Sequence, residues 1–138
     1  MSQLIIKHFS TPDERRPFVA HGHADILNFE GGRTTGLGVF EPGWKWSEDI
    51  RPIAGTDSCQ VAHTCFVVSG RLAIAMDDGT RGELGPGDMA IIPPGHDAWV
   101  VGDEPCTLVD FEGMSQYARR EEAGTRPGVT EEVAPGIH

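Results

Sequence analysis

Several things are scarce in this chain, and each shortage removes a class of function. Basic residues are few: 11 Lys and Arg stand against 21 Asp and Glu, a formal net charge of −10. Nucleic-acid binders neutralise phosphates with clustered Lys and Arg. The sequence has no such cluster, so no nucleic-acid partner is expected. The same charge would be repelled by an anionic membrane surface, and its plainest role is to keep the protein in solution. Long apolar runs are missing as well. Nothing approaches the ~20 apolar residues that span a bilayer, and Leu4-Ile5-Ile6 is far shorter than the apolar region of a secretory signal. The three cysteines, Cys59, Cys65 and Cys106, are an odd number without framework spacing, which suits free thiols in a reducing compartment. The expected location is the cytoplasm. A phosphate-cradling loop is absent, since Gly36-Leu37-Gly38 lacks a later glycine and a following helix. Ser58 and Ser69 have no nucleophile-elbow context, and no catalytic residue is singled out.

What the chain has in quantity is turn formers. Eighteen Gly and ten Pro are spread through 138 residues, which favours many short strands in one compact domain. The densest stretch is residues 82–105. Gly85-Pro86-Gly87-Asp88 makes a tight turn. Met89-Ala90-Ile91-Ile92 is too short and apolar for an amphipathic helix and reads as a strand covered on both faces. Pro93-Pro94-Gly95 cannot continue a ladder, so the chain reverses, and Ala98-Trp99-Val100-Val101 is the expected return strand.

Further strands are expected over residues 18–29, with Ala24, Ile26 and Asn28 on one face, and over 33–41, 59–69, 71–76 and 106–111. Asp77-Asp78-Gly79-Thr80 is a hairpin connection. Trp44-Lys45-Trp46 puts two indoles on one side of an extended segment, and residues 49–55 read as loop. Residues 115–122 are expected to form a short helix and residues 124–138 a polar tail.

This order of strands and turns resembles the cupin superfamily, whose two motifs are G-x5-H-x-H-x3–4-E-x6-G and G-x5-P-x-G-x2-H-x3-N. Gly87, Pro93 and Gly95 match the second motif, and Phe66-Val67-Val68-Ser69-Gly70 matches the end of the first. The resemblance covers just over half the chain. It implies an all-β, double-stranded β-helix (jelly-roll) barrel over residues 33–112. Residues 1–32 would be an N-terminal arm and edge strand, and residues 113–138 the helix and tail. It also implies a divalent metal and a small organic molecule inside the barrel, with oxygenase or isomerase chemistry. Family members commonly pair through sheet edges, and the arm with residues 18–29 could cover such an edge, so a homodimer is expected.

At the ligand positions the chain departs from the family. His63 stands where the family has Glu, Cys59 and Asp57 stand in place of the His-x-His pair, and Ala98 replaces the second-motif His. His96 lies two residues before Ala98, on the same face of an extended strand. A regular strand from residue 57 would turn Asp57, Cys59, Val61, His63 and Cys65 to one side. Thiolate and imidazole together suit zinc or iron, so Cys59, His63 and His96 are the candidate ligands. The competing reading makes the cysteines small core hydrophobes and His63 a hydrogen-bonded interior histidine. The protein would then be a metal-free binding or sensor module. His21, His23 and Asp25 form a second run, expected to face solvent or a partner subunit. Trp44, Trp46 and Trp99 are candidates for a cavity mouth, with Trp99 facing away from His96.

Overall fold

A computed structural model describes residues 3–115, 117 and 118. Within them the chain forms strands β1 (Glu14–Pro17), β2 (Gly22–Phe29) and β3 (Arg33–Phe40), then two single-turn helices, α1 (Trp46–Asp49) and α2 (Arg51–Ala54). Strands β4 (His63–Ser69), β5 (Leu72–Met76), β6 (Arg81–Leu84), β7 (Met89–Ile92), β8 (His96–Val100) and β9 (Cys106–Asp110) follow. They build two antiparallel sheets: six strands in the order β1-β2-β3-β9-β4-β7, and three in the order β6-β5-β8. The all-β jelly-roll fold expected from the turn pattern is what forms. No helix among the described residues is long and apolar enough to cross a membrane.

The core follows the period-two alternation of half-covered strands. In β4, His63, Cys65 and Val67 are buried while Phe66 and Val68 face out; in β9, Cys106, Leu108 and Asp110 are buried. Ala24 and Ile26 of β2 share the inner face, as their spacing predicts, but Asn28, near the end of the strand, is exposed. Each fully buried branched side chain contributes roughly 1.5–3 kcal/mol.

Residues 93–95 act differently from the expectation. They carry the chain from one sheet to the other: β7 pairs with β4, whereas β8 pairs with β5. Two prolines without N–H groups cannot open a hairpin ladder. The ladder instead stops at Ile92, and Gly95, at φ 93°, turns the corner. Its N–H donates to the Cys59 carbonyl (2.7 Å) and its own carbonyl accepts from the Asp77 N–H (2.8 Å). Nor is β7 covered on both faces. It is an edge strand with one packed side, which leaves Met89 59 % and Ile91 81 % exposed.

Residues 49–55, expected as loop, instead fold into the end of α1 and all of α2. Pro52 occupies the first turn of α2, where a missing N–H does no harm, and Gly55 ends it in the left-handed conformation at φ 78°. After β9 a 3-10 turn (Gly113–Ser115) brings Met114 and Tyr117 over the core. Arg16, buried on β1, donates from Nη1 to the carbonyls of Met114 and Tyr117. Gly113 permits this close approach, because a Cβ there would lie 2.6 Å from the Ala62 carbonyl oxygen and 2.7 Å from His63 Nδ1. Of the expected helix over 115–122, only residues 115, 117 and 118 are described, as the end of the 3-10 segment and a turn; the tail over 124–138 lies outside the described residues.

Candidate functional site

His63 opens β4 and His96 opens β8, while Cys59 sits in the loop before β4. Cys59 reaches the two histidines through an isolated bridge to His96, with its N–H donating to the His96 carbonyl at 2.8 Å. All three side chains are buried, and their donor atoms lie within 4.8 Å of one another. Cys59 Sγ is 3.7 Å from His63 Nε2, and the two imidazoles meet edge to face with centroids 5.4 Å apart.

Each imidazole is oriented from behind. His63 Nδ1 makes a short hydrogen bond to Asp110 Oδ2, and His96 Nδ1 is 2.8 Å from the Pro93 carbonyl. Because a carbonyl can only accept, His96 carries a proton on Nδ1, and Nε2 is the nitrogen left to face Cys59. Asp110 is itself fixed: its Oδ1 accepts from the N–H groups of Glu112 and Gly113, both at 2.9 Å. A carboxylate behind a histidine that offers its other nitrogen forward is the arrangement that orients metal-binding histidines.

The surroundings divide the three cysteines. Burial opposes ionisation of Cys59, but hydrogen bonds and charge from His63 and His96 outweigh it and bring the thiol down to about 6. Burial likewise disfavours charged His63, yet its bonds to Asp110 and Cys59 raise it to about 9. Asp110 is held below the usual carboxylate range, its own burial outweighed by His63 and the two backbone N–H groups. With no such partners, Cys65 is pushed up to about 12, by burial first and then by the charge of Asp110. Cys106 rises to about 11 through burial alone.

The other candidates fall elsewhere. Asp57 is fully exposed and stands 3.4 Å from Arg51. The strand does not run regularly from residue 57, so parity along it fails, and Cys59 arrives by pairing with His96 instead. His21, at φ 65°, lies before β2 and contacts Asp49 Oδ2 at 3.1 Å. His23 Nε2 is 3.5 Å from Asp25 Oδ2, but Arg15 holds both oxygens of Asp25, at 2.7 and 3.1 Å. Trp44 and Trp46 are core residues beside a cavity of about 30 Å³, whose lining includes His63, His96 and Asp110 but not Cys59. Trp99 points away from His96 and lies outside that lining, with Lys45 and Arg81 each 5.7 Å from its ring. Asp110 was missed from the sequence. It shares strand parity with Cys106 and Leu108, and one acid among inward-facing apolar residues was the available signal.

Residues 52–108 match the EutQ-like cupin domain family. Among solved structures, the chain is similar to a polyketide cyclase from Streptomyces resistomycificus, at 18 % identity and TM-score 0.57, covering 80 % of each chain. It is also similar to a protein of unknown function from Acidithiobacillus ferrooxidans, at 21 % identity and TM-score 0.51, covering 71 % of this chain and 86 % of that one. A Bacillus subtilis oxalate decarboxylase variant aligns at 17 % identity and TM-score 0.50, over 71 % of this chain but only 27 % of the decarboxylase. At these identities the likenesses describe the fold. No curated protein sequence matches the chain. The sheet order and the turn motifs agree with the matched cupin domain over residues 52–108, and the fold of the chain is that of a cupin.

Proposed function

We propose that the barrel holds a divalent metal, zinc or iron, on Cys59, His63 and His96 and binds a small organic molecule beside it, as a metal-dependent oxygenase or isomerase. One observation carries this reading: three buried donors converge, and each histidine's Nδ1 already has an acceptor, so the donor set suits zinc or iron. Three protein ligands would leave a coordination position open. A metal there would supply Lewis-acid polarisation, and iron would add dioxygen chemistry. The chain's own groups have separate tasks. Asp110 and the Pro93 carbonyl orient the imidazoles, and the apolar wall excludes water.

Elemental analysis of protein purified without a nickel column tests the reading. One zinc or iron per chain, lost in His63→Ala with the fold retained, is the expected result. Metal kept at full stoichiometry in that variant would move the site elsewhere, with His21 and His23 next in line. A second reading rests on the Cys59–His63 contact, which lets the two side chains satisfy each other without an ion. Wild-type protein free of metal would favour that reading, a binding or sensor module.

We also read the chain as a cytoplasmic homodimer. Exposed Phe66, Met89 and Ile91 form apolar neighbours on β4 and β7. A monomer mass by light scattering at micromolar concentration would refute the dimer.

A further inference from the structure

Trp44 and Trp46 are 2 % and 1 % exposed, and both line the cavity that His63, His96 and Asp110 also line. Their Nε1–H groups are the two buried side-chain polar atoms, among the described residues, that have no hydrogen-bond partner. Native structures rarely leave such donors unpaired, and each instance calls for an explanation. Packing holds both rings in place. Trp44 stands edge-on to Phe40, with centroids 4.6 Å apart. Trp46 begins α1, whose next residue, Ser47, donates its N–H to Asp97 on β8 at 3.1 Å. Lys45 between them is extended, at φ −146° and ψ 130°, which brings both indoles to the same void. The cavity is a space beside both rings in which an acceptor can stand.

We infer that the cavity binds the carboxylate of a small organic acid, with the Trp44 and Trp46 indoles donating to its two oxygens. This deepens the reading above by naming the ligand class. The size fits: one water needs roughly 10–15 Å³ by the measure in which this cavity is about 30 Å³, so a few heavy atoms fill it. The chemistry fits as well. Two donors from two residues match an acceptor-only group with two oxygens, and hydrogen bonds to an ionised acceptor are roughly twice as strong as neutral ones. An amide of the same shape would turn its NH2 donors toward one of the two indole N–H donors, whereas a carboxylate offers an acceptor oxygen to each. An organic ammonium group would need a carboxylate, and Asp110, the one carboxylate in the lining, already has its oxygens bonded to His63 and to the N–H groups of Glu112 and Gly113. The remaining wall, with Leu72, Ile74 and Leu108, suits a short alkyl tail.

The chain has three tryptophans, so the ¹⁵N-labelled full chain shows three indole N–H signals, assignable with Trp→Phe variants. Acetate is titrated at fixed pH and ionic strength, with acetamide as the uncharged isostere. The expected result is saturable movement of the Trp44 and Trp46 signals, a still Trp99 signal, and acetamide binding at least about tenfold weaker. Trp44→Phe and Trp46→Phe should each weaken acetate about tenfold, in line with loss of one hydrogen bond to a charged group. Indole signals unmoved by acetate would overturn the inference, as would equal response to acetamide or a Trp99 shift as large as the others. The wild-type titration decides this even if a variant fails to fold. Metal content is measured on the same samples. Metal-bound protein silent to acetate removes only the carboxylate site, and metal-free protein that binds acetate removes only the metal.

Discussion

His21, His23 and Asp25 sit together in the chain and look like a ligand set, while Cys59, His63, His96 and Asp110 come from a loop and three different strands. In three dimensions the ranking inverts. The adjacent group is split by the backbone, because His21 lies at positive φ before β2 and turns to Asp49. Its acid is already engaged by Arg15 across the β1–β2 register. The scattered group converges within 4.8 Å in the core, with each imidazole held by a separate acceptor. The adjacent residues end in separate pairs whose basic partners are 25–57 % exposed and partly screened by water, whereas nearness across sheets yields a desolvated cluster whose members change one another's protonation. The cysteines repeat the lesson. Cys59 and Cys65 are both 1 % exposed, yet one falls to about 6 and the other rises to about 12, because only Cys59 has imidazole partners. Burial makes a thiol inert unless something in the site compensates the charge.

Exchanging serine for the two cysteines should break the comparison most sharply. Cys59→Ser is expected to reduce bound metal to near zero, and Cys65→Ser to leave it unchanged, by elemental analysis of matched preparations. Equal loss from both would mean that the core, not the cluster, was being measured. Asp110→Asn comes next. It keeps an acceptor for His63 but removes the charge, so metal affinity should drop by 10–100-fold in a competition titration with a chelator, while the melting transition stays cooperative. An unchanged affinity would reduce Asp110 to a purely structural group.

A smaller, pH-dependent effect follows from the paired shifts. Between about 6 and about 9 the metal-free cluster is a thiolate beside an imidazolium. Metal needs the neutral imidazole, so binding near neutral pH should release about one proton, from His63. Affinity should then fall about tenfold for each pH unit of acidification across that range. Below it the fall should be steeper, because Cys59 must also lose a proton. Calorimetry in two buffers of different ionisation enthalpy reads the proton directly. Zero release would place His63 neutral in the free protein. The smallest effect belongs to the outer group: His21→Ala and His23→Ala should each leave metal stoichiometry where it was. A loss there would reverse the comparison.

Much of the architecture is legible in the sequence. Gly87, Pro93 and Gly95 mark their turns, Asp78-Gly79 joins β5 to β6, and inward parity in β2 and β9 follows from apolar spacing. These are local signals, set by φ restrictions and by one-sided burial, and local signals survive in a linear reading. The exceptions share a cause. Residues 93–95 look like a hairpin turn but change sheets, and β7 looks doubly covered but is an edge strand, because which strand becomes whose neighbour is a long-range choice.

The sequence by itself determined that the chain is turn-rich and all-β, and it singled out Cys59, His63 and His96 as candidate ligands near its two motif remnants. Only the tertiary structure decided that Cys59 reaches His63 through a bridge to His96 and not along its own strand. Only it brought Asp110 behind His63, and only it left two indole N–H groups beside the cavity without acceptors. The physical reason is that backbone preferences act over a few residues. Hydrogen-bond partners and desolvation are set instead by whichever residues the packed sheets bring together.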